Sequence, residues 1–320
     1  MNFDLDETER ALRDGIRELC RGRMGVERLR ATQGRVDTAL WGELGDAGVF
    51  ALRLAEVDGG SGARVTDAAV VFEELGHALV HGPLVGTCLA AGLIDGAAEG
   101  RTVVGLVEAG RRPMVVEHPA DLDALLVLGD DTVTVVAAGA LDLEETPRPL
   151  DPLTPVAEVC GALPDGEVVA GASARALRRT ATVLRAAQLV GLAGKATDLA
   201  VRYAGEREQF GRPIGGFQAV KHLCADMLTR TEVARAAVHA AAVHLDAPQG
   251  DLGDLERTVA GAALLAGEAA VRNGKVGIQV HGGMGFTWEV DAHLPLKRAL
   301  VLAAADGGLD AQAERVAATL

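Results

Sequence analysis

The chain has 320 residues, 49% of them hydrophobic, enough for a sizeable core and two or three domains. Its net charge of −14 argues against nucleic acid and against anionic membrane surfaces as partners. No run is long and apolar enough to span a bilayer and the acidic start, Met1 to Glu9, is unlike a signal peptide, while Cys20, Cys88, Cys160 and Cys224 show no metal-ligand or C-x-x-C spacing; the expectation is a cytoplasmic protein with reduced, buried thiols.

Residues 1–100 read as helices. Leu5, Leu12, Ile16, Leu19 and Cys20 mark the apolar side of the first, and Trp41, Leu44, Val49 and Phe50 form a second short stripe. A turn cluster follows at Glu56 to Gly62. From Asp67 to Leu79 the pattern is amphipathic, with Ala68, Val71, Phe72 and Leu75 on one face and Glu73 and Glu74 on the other, and Gly82-Pro83 ends it. The period then changes. Thr102 to Val107, Met114 to Val116, Ala124 to Leu128 and Thr132 to Val136 are short β-type runs separated by Gly, Pro and Asp. Beyond residue 172 the helical period returns, first through Leu177, Leu184, Gln188, Leu192, Leu199 and Tyr203. Ala219 to Leu245, Leu255 to Val276 and a stretch from about Leu294 supply three more helices, so four long antiparallel helices are expected to form a bundle. The fold class is therefore mainly α with a small central β-domain: an N-terminal helical domain at 1–100, a reduced middle β-domain at 101–168 and a C-terminal four-helix bundle at 169–320.

Two glycine-bearing stretches stand out between the long helices. In Arg207-Glu208-Gln209-Phe210-Gly211-Arg212-Pro213-Ile214-Gly215-Gly216-Phe217-Gln218, the glycines and the proline stop one helix and turn the chain into the next. An Arg, an aromatic and an amide on one turn suit a phosphate, a ring and a polar rim; a plain helix–helix connection capped by Arg207 explains the same residues. In Gln279-Val280-His281-Gly282-Gly283-Met284-Gly285-Phe286-Thr287-Trp288-Glu289, bare backbone N–H groups at Gly282 and Gly283 suit a close-lying anion, outside the strand–turn–helix setting of a dinucleotide fold.

The pairing of R-x-x-F-G-x-x-x-x-x-F-Q with a downstream Q-x-x-G-G-x-G-F resembles the C-terminal domain of the acyl-CoA dehydrogenases, FAD enzymes that desaturate acyl-CoA thioesters. The order L-W-x-x-L-x-x-x-G-V, E-x-D-G-G-S-G, E-E-L-G-H-A and G-P-L resembles their N-terminal helical domain. The resemblance implies that Arg207 pairs with the FAD pyrophosphate of a neighbouring subunit, that Phe210 packs on the cofactor and that Gln218 hydrogen-bonds to it. Gln209 and Ile214, in the same turn, join that set, and Gln279, Gly282 and Gly283 meet the adenosine half. Thr287, Trp288 and Glu289 read as a capped start to the last helix.

The β-region departs from the family. It lacks the T-E-P loop, the G-x-K-x-x-I strand and the flavin-side Trp, the only tryptophans being Trp41 and Trp288. The usual base, a Glu before Gly-Thr, is replaced by Asp306-Gly307-Gly308. Asp is one methylene shorter, about 1.5 Å less reach, and a misplacement of about 1 Å costs ~10²-fold. The family's other base position falls near Ala181, between Thr180 and Thr182, with no carboxylate. The Gly-Phe-Thr-Trp-Glu run and His293-Leu294 resemble the short actinobacterial subunits in which two related chains form an α2β2 complex acting on CoA thioesters of steroid side chains. Three readings follow: a partner subunit completing the FAD site of a catalytic chain, a self-sufficient homo-oligomeric dehydrogenase using Asp306, or a cofactor-free scaffolding module. Histidines without metal-binding spacing exclude a metal, and Arg111-Arg112 reads as a solvated loop or a CoA-phosphate contact.

Overall fold

A computed structural model describes residues 5–23, 26–247 and 255–319; residues 1–4, the beginning of the acidic start, lie outside it. Asp6 and Glu9 open the first helix by capping each other: the Glu9 N–H donates to Asp6 Oδ1 (2.9 Å) and the Asp6 N–H to Glu9 Oε2 (2.8 Å). Helix α1 (Glu7–Arg23) is followed by α2 (Val26–Ala31) and α3 (Thr38–Asp46). Asp37 caps α3, accepting from the Leu40 N–H at 3.1 Å and from Arg28 Nε at 2.6 Å. The expected stripe of Trp41, Leu44, Val49 and Phe50 is fully buried, with the Trp41 and Phe50 rings 4.8 Å apart. Helices α4 (Val65–His77) and α5 (Leu84–Ala90) complete this stretch.

The middle region holds more strands than its four apolar runs announced. β1 (Val104–Glu108), β2 (Val115–Glu117), β3 (Ala124–Leu128) and β4 (Val133–Ala137) match the runs. β5 (Leu143–Glu145), β6 (Val156–Val159) and β7 (Glu167–Val168) do not. The last three are short, and β5 and β7 are largely exposed, so no alternation marks them. One sheet has the order β1-β3-β4-β7, with β1 and β3 parallel and the other pairs antiparallel; the second, β2-β6-β5, is antiparallel. Val107, Leu125, Val127 and Val136 from the first sheet and Val116, Ala157 and Val159 from the second share one apolar core.

The C-terminal helices are α6 (Ala174–Glu206), a hairpin of β8 (Glu208–Gln209) and β9 (Arg212–Pro213), then α7 (Gln218–Asp246) and α8 (Leu255–His281). The expected fourth long helix is two shorter ones, α9 (Leu294–Ala304) and α10 (Gly308–Ala317). They part at Gly307 and Gly308, whose φ values of +92° and +78° interrupt a continuous α-helix. Asn273, wholly buried in α8, ties the three long helices together. Its Nδ2 donates to Thr197 Oγ1 of α6 (3.2 Å) and to Met227 O and Thr231 Oγ1 of α7 (both 2.9 Å), and its Oδ1 accepts from Arg230 Nε (2.9 Å).

Contacts divide the chain into two compact units: Met1–Gly22, Ala69–Val80 and Thr182–Leu320 in one, Arg23–Ala68 and His81–Ala181 in the other. Within the first unit, α4 corrects the sequence reading. Its supposed polar face is covered: Glu74 is 6% exposed and accepts from Arg17 Nε at 2.7 Å, while Glu73 accepts from Arg235 Nε at 2.8 Å. The cover comes from Arg17 of α1 and Arg235 of α7, and α4 also crosses α6 backbone to backbone. A Cβ at Gly76 would lie 2.2 Å from Gln188 O, and one at Gly191 would lie 2.0 Å from Glu73 O, so only glycine admits this approach of α4 to α6. Burial raises the Glu73 carboxyl above its ordinary range, and Arg235 counters it. The cysteines are free, but only Cys20 and Cys88 are buried as expected, their thiols pushed up to about 12 by that burial; Cys160 and Cys224 are partly exposed.

Candidate cofactor-binding end of the helical unit

The hairpin after α6 is a two-residue turn. Phe210 and Gly211 have φ values of +54° and +76°, the signature of a type I′ connection between β8 and β9. Glycine takes this geometry freely; phenylalanine does so at a cost of about 1–2 kcal/mol. The Phe210 side chain is 92% exposed, its nearest ring being Phe217 in an edge-on contact at 6.1 Å. Arg207 closes the hairpin with its backbone alone: its N–H donates to Tyr203 O and its carbonyl accepts from the Ile214 N–H, both at 2.8 Å. Its guanidinium is exposed and makes no ion pair among the described residues. Gln209 is exposed and turns back on its own strand, Nε2 donating to Glu208 O at 2.8 Å. Ile214 is the inward member of the set, packed with Tyr203 and Val220 against Ala204, Met227 and Val280. Gln218, the first residue of α7, is exposed.

The glycine turn after α8 lies at the same end of this unit. Tyr203 near the end of α6 stacks on His281 at the end of α8 (4.2 Å between centroids), and the Ile214 cluster includes Val280. His281 is held by its own helix, Nδ1 meeting Gly277 O at 2.7 Å. Gln279 is exposed on the last turn of α8. Gly282 (φ +62°) and Gly283 are exposed within a 3-10 turn, and a Cβ at either would meet nothing within 4 Å. Arg207, Gln209, Phe210, Gln218, Gln279, Gly282 and Gly283 are thus brought to one open end of the bundle, with Ile214 beneath them. The hairpin segment itself is cationic: residues 200 to 222 carry Arg202, Arg207, Arg212 and Lys221 against Glu206 and Glu208, a balance of 4 − 2 = +2, while the glycine-turn segment, residues 279 to 291, adds Glu289 and Asp291. Cationic side chains, an outward ring and a bare backbone turn suit the phosphates and rings of a dinucleotide.

The comparisons bear on the same segments. The family model "Acyl-CoA dehydrogenase, C-terminal domain" matches residues 175–320, and the N-terminal-domain model matches residues 6–98. The acyl-CoA dehydrogenase IpdE2 of Mycolicibacterium smegmatis is 33% identical over 303 residues, covering 92% of this chain and 93% of that protein. The chain belongs to the acyl-CoA dehydrogenase family. IpdE2 of Mycobacterium tuberculosis is 36% identical over 301 residues, with 92% and 91% covered. FadE34 of the same organism is 37% identical over 303 residues, which make up 86% of this chain and 41% of FadE34. In fold, the chain matches the Tcur3481–Tcur3483 steroid ACAD (TM-score 0.84, 24% identity, 98% and 97% covered). It also matches the ChsE4–ChsE5 complex of Mycobacterium tuberculosis (TM-score 0.82, 24% identity, 99% and 98% covered). Members of the family are oxidoreductases acting on acyl-CoA, and PigA, solved as an FAD complex, shares the fold (TM-score 0.81).

The expected dehydrogenase chemistry outside this end is placed differently. Asp306 lies in a 3-10 turn at Ala305–Gly307, and its side chain is outside what the structure describes. Thr180, Ala181 and Thr182 are buried in α6, and Thr180 Oγ1 accepts from Arg53 Nη1 at 3.2 Å. Arg111 is partly buried and ion-paired with Glu108 at 2.7 Å, unlike the solvated residue expected, while Arg112 is exposed as expected and donates to Gly161 O at 2.9 Å. Thr287 does not cap the last helix; its hydroxyl returns to Met284 O at 2.9 Å, closing the glycine turn, and α9 starts at Leu294. No described His, Cys, Asp or Glu residues are grouped to hold a metal ion, and no described helix is long and apolar enough to cross a membrane. Sequence reasoning missed Arg212, whose guanidinium lies 4.1 Å over the Phe217 ring, and Lys297, whose ammonium lies 4.1 Å over the Trp288 ring. Arg212 stands inside the same motif and was visible there; Lys297 is nine residues from Trp288 and only folding joins them.

Proposed function

We propose that this chain is the partner subunit of a heteromeric acyl-CoA dehydrogenase, completing the FAD site of a catalytic chain through the open end of its helical unit. The observation that carries the reading is Phe210: a bulky residue held in a left-handed turn, 92% exposed, whose one ring contact among the described residues is edge-on with Phe217. It gains a wider contact if a second molecule covers it. The residues around it fit one half of the cofactor. Arg207 would meet the pyrophosphate, Phe210, Gln209 and Ile214 would form the wall beside it, Gln218 would hydrogen-bond to the flavin half, and Gln279, Gly282 and Gly283 would meet the adenosine half. The β-region offers no family motif for the flavin ring. Bound FAD would supply a hydride acceptor for the β-carbon of the acyl-CoA, and a carboxylate would be needed to remove the α-proton. In this reading the carboxylate belongs to the partner chain, and Asp306 does not supply it.

Support for a two-chain unit comes from the relatives. The similarity accounts for only 41% of FadE34, leaving room there for a second chain of this size, and the solved ChsE4–ChsE5 protein is a complex. An α2β2 assembly, a steroid side-chain thioester as substrate and the three-part division at 100 and 168 complete the proposal; the steroid ACAD of the same fold points to that substrate class. The test is Arg207→Ala in the co-purified complex. Loss of one phosphate-facing guanidinium should weaken FAD at least tenfold, about 1.4 kcal/mol, with subunit association kept. Unchanged FAD affinity would overturn the assignment of Arg207, and a flavin-loaded, active protein from this chain alone would favour the self-sufficient reading through Asp306.

A further inference from the structure

Five residues beyond Gly283, Trp288 is built as a fixed platform. Its ring is half exposed, at 50%. The ammonium of Lys297 in α9 lies 4.1 Å from the ring centroid, and the buried His293 ring meets it edge-on at 4.6 Å. Lys297 and His293 therefore set the angle of the indole before any ligand arrives, so stacking on it costs little ordering. The 3-10 turn Gly282–Phe286 packs on the short 3-10 helix Asp291–His293, so the segment that carries His293, the edge-on neighbour of Trp288, is joined to the glycine turn.

Resting on the reading of this end as an FAD half-site, we propose that Trp288 is the surface on which the adenine ring of the dinucleotide stacks, with Lys297 and His293 as its positioning residues. Base–aromatic stacking of this kind is removed by alanine substitution with a loss of about tenfold in affinity. The experiment uses the full chain co-purified with its partner and stripped of flavin, with FAD and ADP titrated calorimetrically into wild type, Trp288→Phe and Trp288→Ala. The expected result is that Trp288→Ala weakens FAD and ADP alike by about tenfold, that Trp288→Phe stays within about threefold of wild type, and that the complex elutes unchanged on gel filtration. Equal affinity of all three proteins for ADP overturns the proposal, as does loss of subunit association in Trp288→Ala, which would make the indole a protein contact. If the wild-type complex binds no FAD, it is the half-site reading that fails; FAD binding without any ADP binding leaves that reading intact and sinks only the adenine platform.

Discussion

Phe210 sets a conflict that its own chain does not resolve. Its φ of +54° is the geometry of an Asn-Gly turn, and its ring is 92% exposed. Phe210→Asn should therefore leave the isolated chain as stable or more stable, by up to about 1 kcal/mol in urea unfolding, while the complex loses FAD faster. A destabilised chain with unchanged flavin retention would show the ring to be a packing residue instead. Arg207 and Gln279 differ from it in kind. Each is exposed with a side chain unengaged among the described residues, and each sits on backbone fixed by a helix end, so the scaffold is rigid and the functional groups are available. Asn273 is the opposite case, a polar group wholly consumed by structure.

At the scale of elements, α3 shows how charge and capping combine. The Arg28 guanidinium, and then the Leu40 N–H, hold the Asp37 carboxyl below its usual range against the opposing effect of burial. A depressed carboxylate contributes stability that is present above the unfolded value of about 3.9 and is lost as pH falls through the folded value. Asp37→Ala should cost roughly 1 kcal/mol in urea unfolding at pH 7, by a margin constant down to about pH 5 and narrowing only below about pH 4. A margin that narrows between pH 8 and 6 would contradict this account. The helix ends around the candidate site were legible in the sequence because Gly211, Pro213, Gly215 and Gly216 punctuate them; Gln218 opens α7 where the motif placed it. β5 and β7 were not legible, since exposed strands of three and two residues carry no period. Nor was the burial of Glu74, because an amphipathic pattern assumes one wet face and cannot register an ion pair made with Arg17 on another helix. The candidate residues around Arg207 and Gly283 were read from motif resemblance; that they share one end of a unit follows only from the Tyr203–His281 stack and the Ile214 cluster.

For the molecule as a whole, the dehydrogenase fold is retained while the sequence is uneven in what it keeps. The two family models match residues 6–98 and 175–320, while the similarity to IpdE2 extends over 92% of the chain. The proposed cofactor end carries Arg207, Arg212 and the exposed Phe210 on its hairpin, within a chain of net charge −14. The β-region keeps two sheets packed on one shared apolar core. The measurement that tests the two-chain reading most directly is flavin content by visible absorbance, for the chain purified alone and for the chain co-expressed with a catalytic acyl-CoA dehydrogenase partner. The account predicts a colourless chain alone and a yellow complex that bleaches on adding an acyl-CoA. A yellow chain that turns over acyl-CoA without a partner would contradict it.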